Sequence, residues 1–116
     1  MIQYQILDFG LNILIVQEHG SIQVTFPTNR EYTIEYMADA DCIFHTLWVD
    51  EEYRRKGIGK ALLKLAEETS KKKGGYKVCL AYNKITMPDW MLEWFKSNNY
   101  LIENENNKYV ILTKRL

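Results

Sequence analysis

The chain is 116 residues long, and 15 Lys and Arg balance 15 Asp and Glu, for a formal net charge of zero. That length suits one domain, 1–116, built on one core. Neutrality gives no general pull toward nucleic acid or an anionic membrane, so neither is expected as a partner and any anion must be held locally.

The opening "MIQYQILDFG" lacks the basic segment and apolar run of a secretory leader, and no apolar run reaches membrane-spanning length. From residue 2 to about 49 the text reads as strands. "NILIVQ" (12–17) and "IQVTF" (22–26) flank "EHGS", a hairpin loop that leaves His19 exposed. "EYTIEYM" (31–37) alternates Tyr32, Ile34 and Tyr36 against polar neighbours, which completes an antiparallel meander. "CIFHTLWV" (42–49) places Phe44, Thr46 and Trp48 on one face and Ile43, His45, Leu47 and Val49 on the other. Both faces are largely apolar, as in a central strand covered on two sides.

After Gly57 the period becomes helical, with Ile58, Ala61, Leu62, Leu65, Ala66 and Thr69 on one stripe. The helix, about 57–73, ends in "KKKGG", where cations meet the negative dipole end and glycine stops the turn. "YKVCLAY" (76–82) is the next strand, so strand, helix and strand predict a right-handed crossover between parallel strands. Pro88 opens a second helix, about 88–98, carrying Met91, Leu92, Trp94 and Phe95. "YLIE" and "KYVILTK" around "NENNK" close the chain as a hairpin. The predicted class is therefore α/β (α+β), a mixed sheet of about seven strands. Cys42 and Cys79 have neither zinc-site spacing nor the density of a disulfide scaffold, which suits a reducing cytoplasm and no metal.

The stretch "EYRRKGIGKALL" (52–63) sets cations against Gly57 and Gly59 just before the helix. A Walker A loop requires glycine where Arg54 stands and Ser or Thr where Ala61 stands, and the dinucleotide fingerprint requires glycine at Leu62. Both fail. What remains is a strand end, a flexible loop and a helix N-terminus whose free N–H groups, helped by Arg54, Arg55, Lys56 and Lys60, suit a pyrophosphate. The competing reading is a tight turn with a solvated cationic face.

"LWVDEEYRRKGIGKALL" resembles motif A of the GCN5-related N-acetyltransferases (GNAT), whose Arg/Gln-x-x-Gly-x-Gly/Ala pattern is met by Arg54, Gly57 and Gly59. The similarity runs on through the strand to Asn83 and "WFKSNNYLIE", and suggests a compact member of that family. The resemblance implies acetyl-CoA as donor, its pyrophosphate on the amides of Arg55, Lys56, Gly57, Ile58, Gly59 and Lys60. Pantetheine would run between strands 42–49 and 76–83, along the backbone of Leu47, Trp48 and Val49 and past Asn83 and Phe95. It further implies transfer to a primary amine by direct attack in a ternary complex.

A lysine amine, with a pKa of about 10.4, is neutral in only roughly one molecule in a few thousand at pH 7, so a base assists. His45 is the candidate base; its alternative is a core histidine bonded to backbone. Many members of the family carry a tyrosine acid where this chain has Phe95, with Asn99 and Tyr100 standing for the family's Gly-Phe pair. Tyr82, Tyr100 or water then protonates the thiolate, or the protein is a non-catalytic or weakly active acyl-CoA-binding module. The absence of a helical period between Leu7 and Phe44 implies an open acceptor cleft, suited to a protein lysine or N-terminus. Asp39, Asp41, Asp50, Glu51 and Glu52 would form an acidic rim to it, against the plainer reading of solvated loops. A homodimer follows if Trp90, Trp94 and Tyr82 share an exposed apolar face; core packing is the default reading.

Overall fold

Among the described residues, seven strands form one mixed sheet in the order β1-β2-β3-β4-β5-β7-β6. They are β1 (Gln5–Asp8), β2 (Asn12–Gln17), β3 (Gly20–Thr25), β4 (Cys42–Val49), β5 (Lys77–Asn83), β6 (Leu101–Glu105) and β7 (Tyr109–Arg115). Among the described residues, two helices, α1 (Ile58–Lys72) and α2 (Asp89–Ser97), and one 3-10 turn (Glu51–Tyr53) connect them. The computed structural model describes residues 3–27 and 39–116, so the expected strand 31–37 lies outside the described residues.

The first strands pair antiparallel as a meander ending on β4, while β4 and β5 pair parallel across α1. The chain passes β5 by, forms β6 at the edge, and returns as β7 between them, antiparallel to both. The β2–β3 hairpin turns on Glu18 and His19 alone, because Gly20 already pairs with Gln17. A Cβ on Gly20 would stand 2.6 Å from the Trp48 carbonyl oxygen, so glycine is what lets β4 lie against this hairpin.

Gly57, at φ +83°, turns the chain left-handed into α1, and the first helical bond runs from Ala61 N–H to Gly57 O at 3.0 Å. At the other end Lys73 donates from Nζ to the Asp8 carboxylate at 2.9 Å and the Gly10 carbonyl at 2.8 Å, which ties the β1–β2 hairpin to the helix end. The buried stripe of α1 is Ile58, Leu62, Leu63, Ala66 and Ser70, with Ala61, Leu65 and Thr69 only half-buried. The helix is thus rotated slightly from the stripe expected, toward Leu63 and Ser70.

One core lies between the sheet and the helices, built from alternate residues such as Val78, Leu80 and Tyr82 of β5 against Leu62, Leu63 and Phe95. Each fully buried leucine here contributes about 1.5–3 kcal/mol relative to an exposed one. The opposite sheet face carries a smaller cluster of Ile43, Cys79 and Ile111. Cys42 and Cys79 thus belong to opposite faces and are both free. Burial pushes their thiols up to about 11 and about 12, so both pack as protonated, unreactive side chains. Among the described residues, no helix is long and apolar enough to cross a membrane.

Candidate active site

The parallel ladder between β4 and β5 holds two pairs, Cys42 with Val78 and Ile43 with Cys79, and then ends. Beyond it β4 stays paired to β3 alone. There Trp48 faces Ser21 and His45 faces Gln23, so Thr46 and Leu47 together oppose Ile22. That is a β-bulge, and Thr46 sits in it at φ +54°, a conformation that β-branched residues rarely adopt. The extra residue breaks the alternation read from sequence: Leu47 and Val49 join Phe44 against the helix-side core, while Ile43 packs on the other face. Leu47 and Val49 therefore do not share the face of Ile43 expected of them, and Trp48 is left 51% exposed.

A cleft of about 220 Å³ opens where the strands part. One wall is apolar, formed by Leu47, Leu63, Leu80, Met87, Met91 and Phe95. His45, Thr46, Asn83, Thr86 and Tyr109 supply the polar groups, and among the described residues no carboxylate or cation lines it. The cleft combines residues of both sheet faces, since Phe95 belongs to the helix-side core and Tyr109 packs on the opposite cluster. It thus passes between the strands rather than lying on either surface.

His45 projects from β4 into this cleft, and its Nε2 lies 2.7 Å from Thr25 Oγ1 on β3. Thr46 Oγ1 is 3.3 Å from Nδ1. Burial holds the imidazole below its ordinary pKa of 6.5, favouring the neutral form that can accept a proton. Phe95 is 3% exposed, deep in the apolar wall, and offers no proton.

The two tyrosines expected as alternative acids are turned to other partners. Tyr82 is buried and donates its hydroxyl to the Met87 carbonyl at 3.2 Å. Tyr100 is 1% exposed and donates to Glu67 Oε2 of α1 at 2.6 Å; Lys114 completes the group from β7 at 3.0 Å. Burial first, then the Glu67 carboxylate, pushes the Tyr100 phenol far above its usual range. Neither ring lines the cleft. Asn83 does, but its side-chain oxygen is occupied by the N–H groups of Ile85 at 2.9 Å and Thr86 at 3.2 Å, which shapes the loop into α2.

The basic loop stands at the end of β4. Arg54 donates from Nε to the Val49 carbonyl at 3.1 Å, and its guanidinium lies 6.0 Å from the Trp90 ring centroid. Arg55 takes φ +64° and Gly57 φ +83°, so the loop passes twice through the left-handed region before the helix begins. No side chain caps α1 and no acidic residue stands in its first turn. The amides of Ile58, Gly59 and Lys60 precede the first helical bond and have no partner within the helix. A Cβ on Gly59 would meet Trp94 at 3.5 Å and Val49 at 3.6 Å, which are ordinary contacts, so internal packing does not exclude a side chain there.

His19 supports this loop, a role the sequence did not signal. It is half-buried and stacks on Tyr53 with centroids 3.5 Å apart and planes 7° apart, while Nδ1 lies 3.3 Å from Asp50 Oδ2. The exposed loop position expected for it is corrected accordingly.

The supposed acidic rim is dispersed. Asp41 precedes β4 and accepts the N–H groups of Tyr76 and Lys77 at 2.9 Å each; Asp50, Glu51 and Glu52 lie beyond the other end of the strand. None of them, nor Asp39, lines the cleft. Trp90, Trp94 and Tyr82 form no shared exposed face either: Tyr82 is buried, Trp94 is half-buried beside Gly59, and Trp90 is exposed with Arg54 as partner. Among the described residues, no group of His, Cys, Asp and Glu is arranged to hold a metal ion.

The family model described as "Acetyltransferase (GNAT) family" matches residues 20–89, from the β2–β3 hairpin to the start of α2. Among solved structures, a GNAT family acetyltransferase from Elizabethkingia anophelis with acetyl-CoA bound has the same fold: TM-score 0.76, 14% identity, covering 99% of this chain and 98% of that one. The PaiA N-acetyltransferase of Thermoplasma acidophilum in complex with coenzyme A gives TM-score 0.69 at 21% identity, with 91% of this chain and 60% of that chain covered. Arabidopsis thaliana NAA60 in complex with a bisubstrate analogue gives TM-score 0.73 at 16% identity, with coverage of 92% and 76%. Among curated proteins no sequence matches this one. At these identities the structural likenesses concern the fold.

Proposed function

Because this chain belongs to the acetyltransferase (GNAT) family, we propose that it transfers an acetyl group from acetyl-CoA to a primary amine, by direct attack with both substrates bound. The observation that carries the reading is the coincidence of three features at one place. The β4–β5 ladder ends at Ile43, an apolar slot opens beyond it, and an uncapped, cation-flanked helix N-terminus stands at the end of the same strand.

The residues fit the donor. The amides of Arg55 to Lys60 hold its pyrophosphate, and Gly59 leaves room for close approach, since its nearest neighbours among the described residues do not require glycine there. Arg54 and Lys60 add positive charge. The β4 edge from Leu47 to Val49 has no β5 partner among the described residues, so its amides and carbonyls are left for the pantetheine. Asn83 and Phe95 face the same arm, and Met87 and Met91 exclude water from it.

His45 removes a proton from the ammonium of the acceptor. The neutral nitrogen then forms a bond to the thioester carbon while a strand amide near Leu47 polarises the carbonyl. The nitrogen, positively charged after attack, gives its second proton to water, and the carbon–sulfur bond breaks with its electron pair leaving on sulfur. Tyr82 and Tyr100 are committed to Met87 and Glu67, so water supplies the thiolate's proton; a thiol pKa of about 8.5 makes a strong acid dispensable. We assign the acceptor as a protein or peptide amine, a lysine or an N-terminus, and the site of action as the cytoplasm.

Phe95 favours a second reading, an acyl-CoA-binding module with little or no turnover. Calorimetric titration with acetyl-CoA, followed by thiol release against peptide amines, polyamines and aminoglycosides, separates the two. Absence of binding removes the donor assignment, and binding without release in any acceptor series leaves the module.

A further inference from the structure

The hydrogen bonds of His45 continue past Thr25. Thr25 Oγ1, 2.7 Å from His45 Nε2, donates at 2.9 Å to Asn12 Oδ1 on β2. A hydroxyl has one proton to give. Since that proton goes to Asn12, Thr25 meets His45 as an acceptor, and Nε2 must be the nitrogen that carries hydrogen. The other nitrogen, Nδ1, then holds the lone pair, beside Thr46, which also lines the cleft. Three adjacent strands of the meander, β4, β3 and β2, thus each contribute one member of a relay that runs from the cleft to the exposed Thr25–Asn12 pair.

We propose that Thr25 and Asn12 are positioning residues that fix His45 as its Nε2–H tautomer and so present Nδ1 as the proton acceptor. The catalytic part of this statement rests on the reading of His45 as the base. The tautomer itself does not. When Nδ1 takes a proton from the acceptor ammonium, the imidazolium keeps its Nε2–H bond to Thr25 and no second proton has to move. Gln23 Oε1, which accepts from Thr46 Oγ1 at 3.2 Å, keeps the Thr46 hydroxyl from competing as a donor for Nδ1. Among the described residues lining the cleft, the other titratable side chain is Tyr109 on β7; Gln23, Thr25 and Thr46 flank the ring from β3 and β4 without charge.

Long-range 1H–15N NMR of the full chain labelled in histidine reads the tautomer directly, with a His19→Gln sample to assign the two imidazoles. Neutral His45 is expected to show protonated Nε2 and bare Nδ1. Thr25→Val is expected to release it into a tautomer mixture and to lower turnover about tenfold, the scale of one hydrogen bond, with KM for acetyl-CoA unchanged. The variant also removes an acceptor that the imidazolium needs more than the neutral ring, so the acid limb of the pH–rate profile moves to lower pH. Thr25→Ser restores both readouts, and Asn12→Ala gives a smaller shift in the same direction. A wild-type His45 protonated at Nδ1, or a Thr25→Val protein with the wild-type tautomer and pH profile, overturns the proposal. If His45→Ala leaves turnover intact, the base reading fails while the NMR result still decides the tautomer.

Discussion

β4 is one strand with two regimes. Its first residues, Cys42 to Phe44, are buried, and Ile43 is paired on both sides, to Thr25 of β3 and Cys79 of β5, whereas His45 to Val49 are paired to β3 alone, bulged, and half-buried or exposed. The first part carries the β5 pairing and lines the cleft with the apolar Ile43 and Phe44, while the second brings His45, Thr46 and Leu47 to it. The difference teaches that a site can be made by ending a ladder early. Two parallel strands that stop pairing leave unpaired backbone groups beside an apolar slot, and a buried group of that kind calls for a partner.

Damage to the first part should register as lost stability. Phe44→Ala removes a ring that is 3% exposed and is expected to cost about 3–5 kcal/mol, read from the denaturant midpoint. A loss below about 1 kcal/mol would mean that the buried half is not the anchor.

Damage to the second part should register as lost chemistry. His45→Ala is expected to lower turnover at neutral pH about 10²-fold while leaving acetyl-CoA affinity unchanged, as calorimetry would show. In the intact protein, the acid limb of the rate profile should lie below the ordinary histidine value of 6.5, because burial lowers this pKa. Folding therefore disfavours the protonated ring. The stability that neutral His45 allows is present in full above 6.5 and is lost as pH falls through the lowered value, and the His45→Gln protein should lack that part of the acid dependence. An acid limb at or above 6.5 would separate His45 from the rate.

Gly59→Ala sets the two regimes against each other. Alanine suits a helix better than glycine, and the new Cβ meets only ordinary contacts, so stability should rise by up to about 1 kcal/mol. Acetyl-CoA should nevertheless bind about tenfold more weakly, as expected for one amide contact spoiled. Tighter or equal binding would refute the phosphate cradle. The smallest effect belongs to the bulge. Thr46→Gly relieves a β-branched residue held at φ +54° and should raise stability by about 1 kcal/mol in a thermal melt. A destabilised protein would show that Thr46 contacts outweigh the strain.

The Arg54, Gly57 and Gly59 pattern and the change of period after Gly57 were legible because they are local. Each depends on which residues stand a few positions apart, and α1 at Ile58–Lys72 and α2 at Asp89–Ser97 fall within a residue of the helices expected. The orientation of Leu47 and Val49 was not legible, since a bulge depends on how β3 registers against β4, two segments separated by residues 26–41, of which 28–38 lie outside the described ones. The aims of the Tyr82 and Tyr100 hydroxyls were hidden for the same reason. Tyr100 reaches Glu67, 33 positions earlier in the chain, and nothing near either residue announces the pair. His19 on Tyr53 is a contact of the same kind.

By itself, then, the sequence determined the order of strands and helices, the parallel crossover and the glycine loop at a helix start. These follow from side-chain periodicity and backbone freedom, which act between near neighbours. Only the tertiary structure decided where the β4–β5 ladder ends, that the tyrosine hydroxyls turn from the cleft, and that Thr25 and Asn12 stand behind His45. Those outcomes depend on register and on competition for hydrogen-bond partners between distant segments, and they exist only once the sheet has formed.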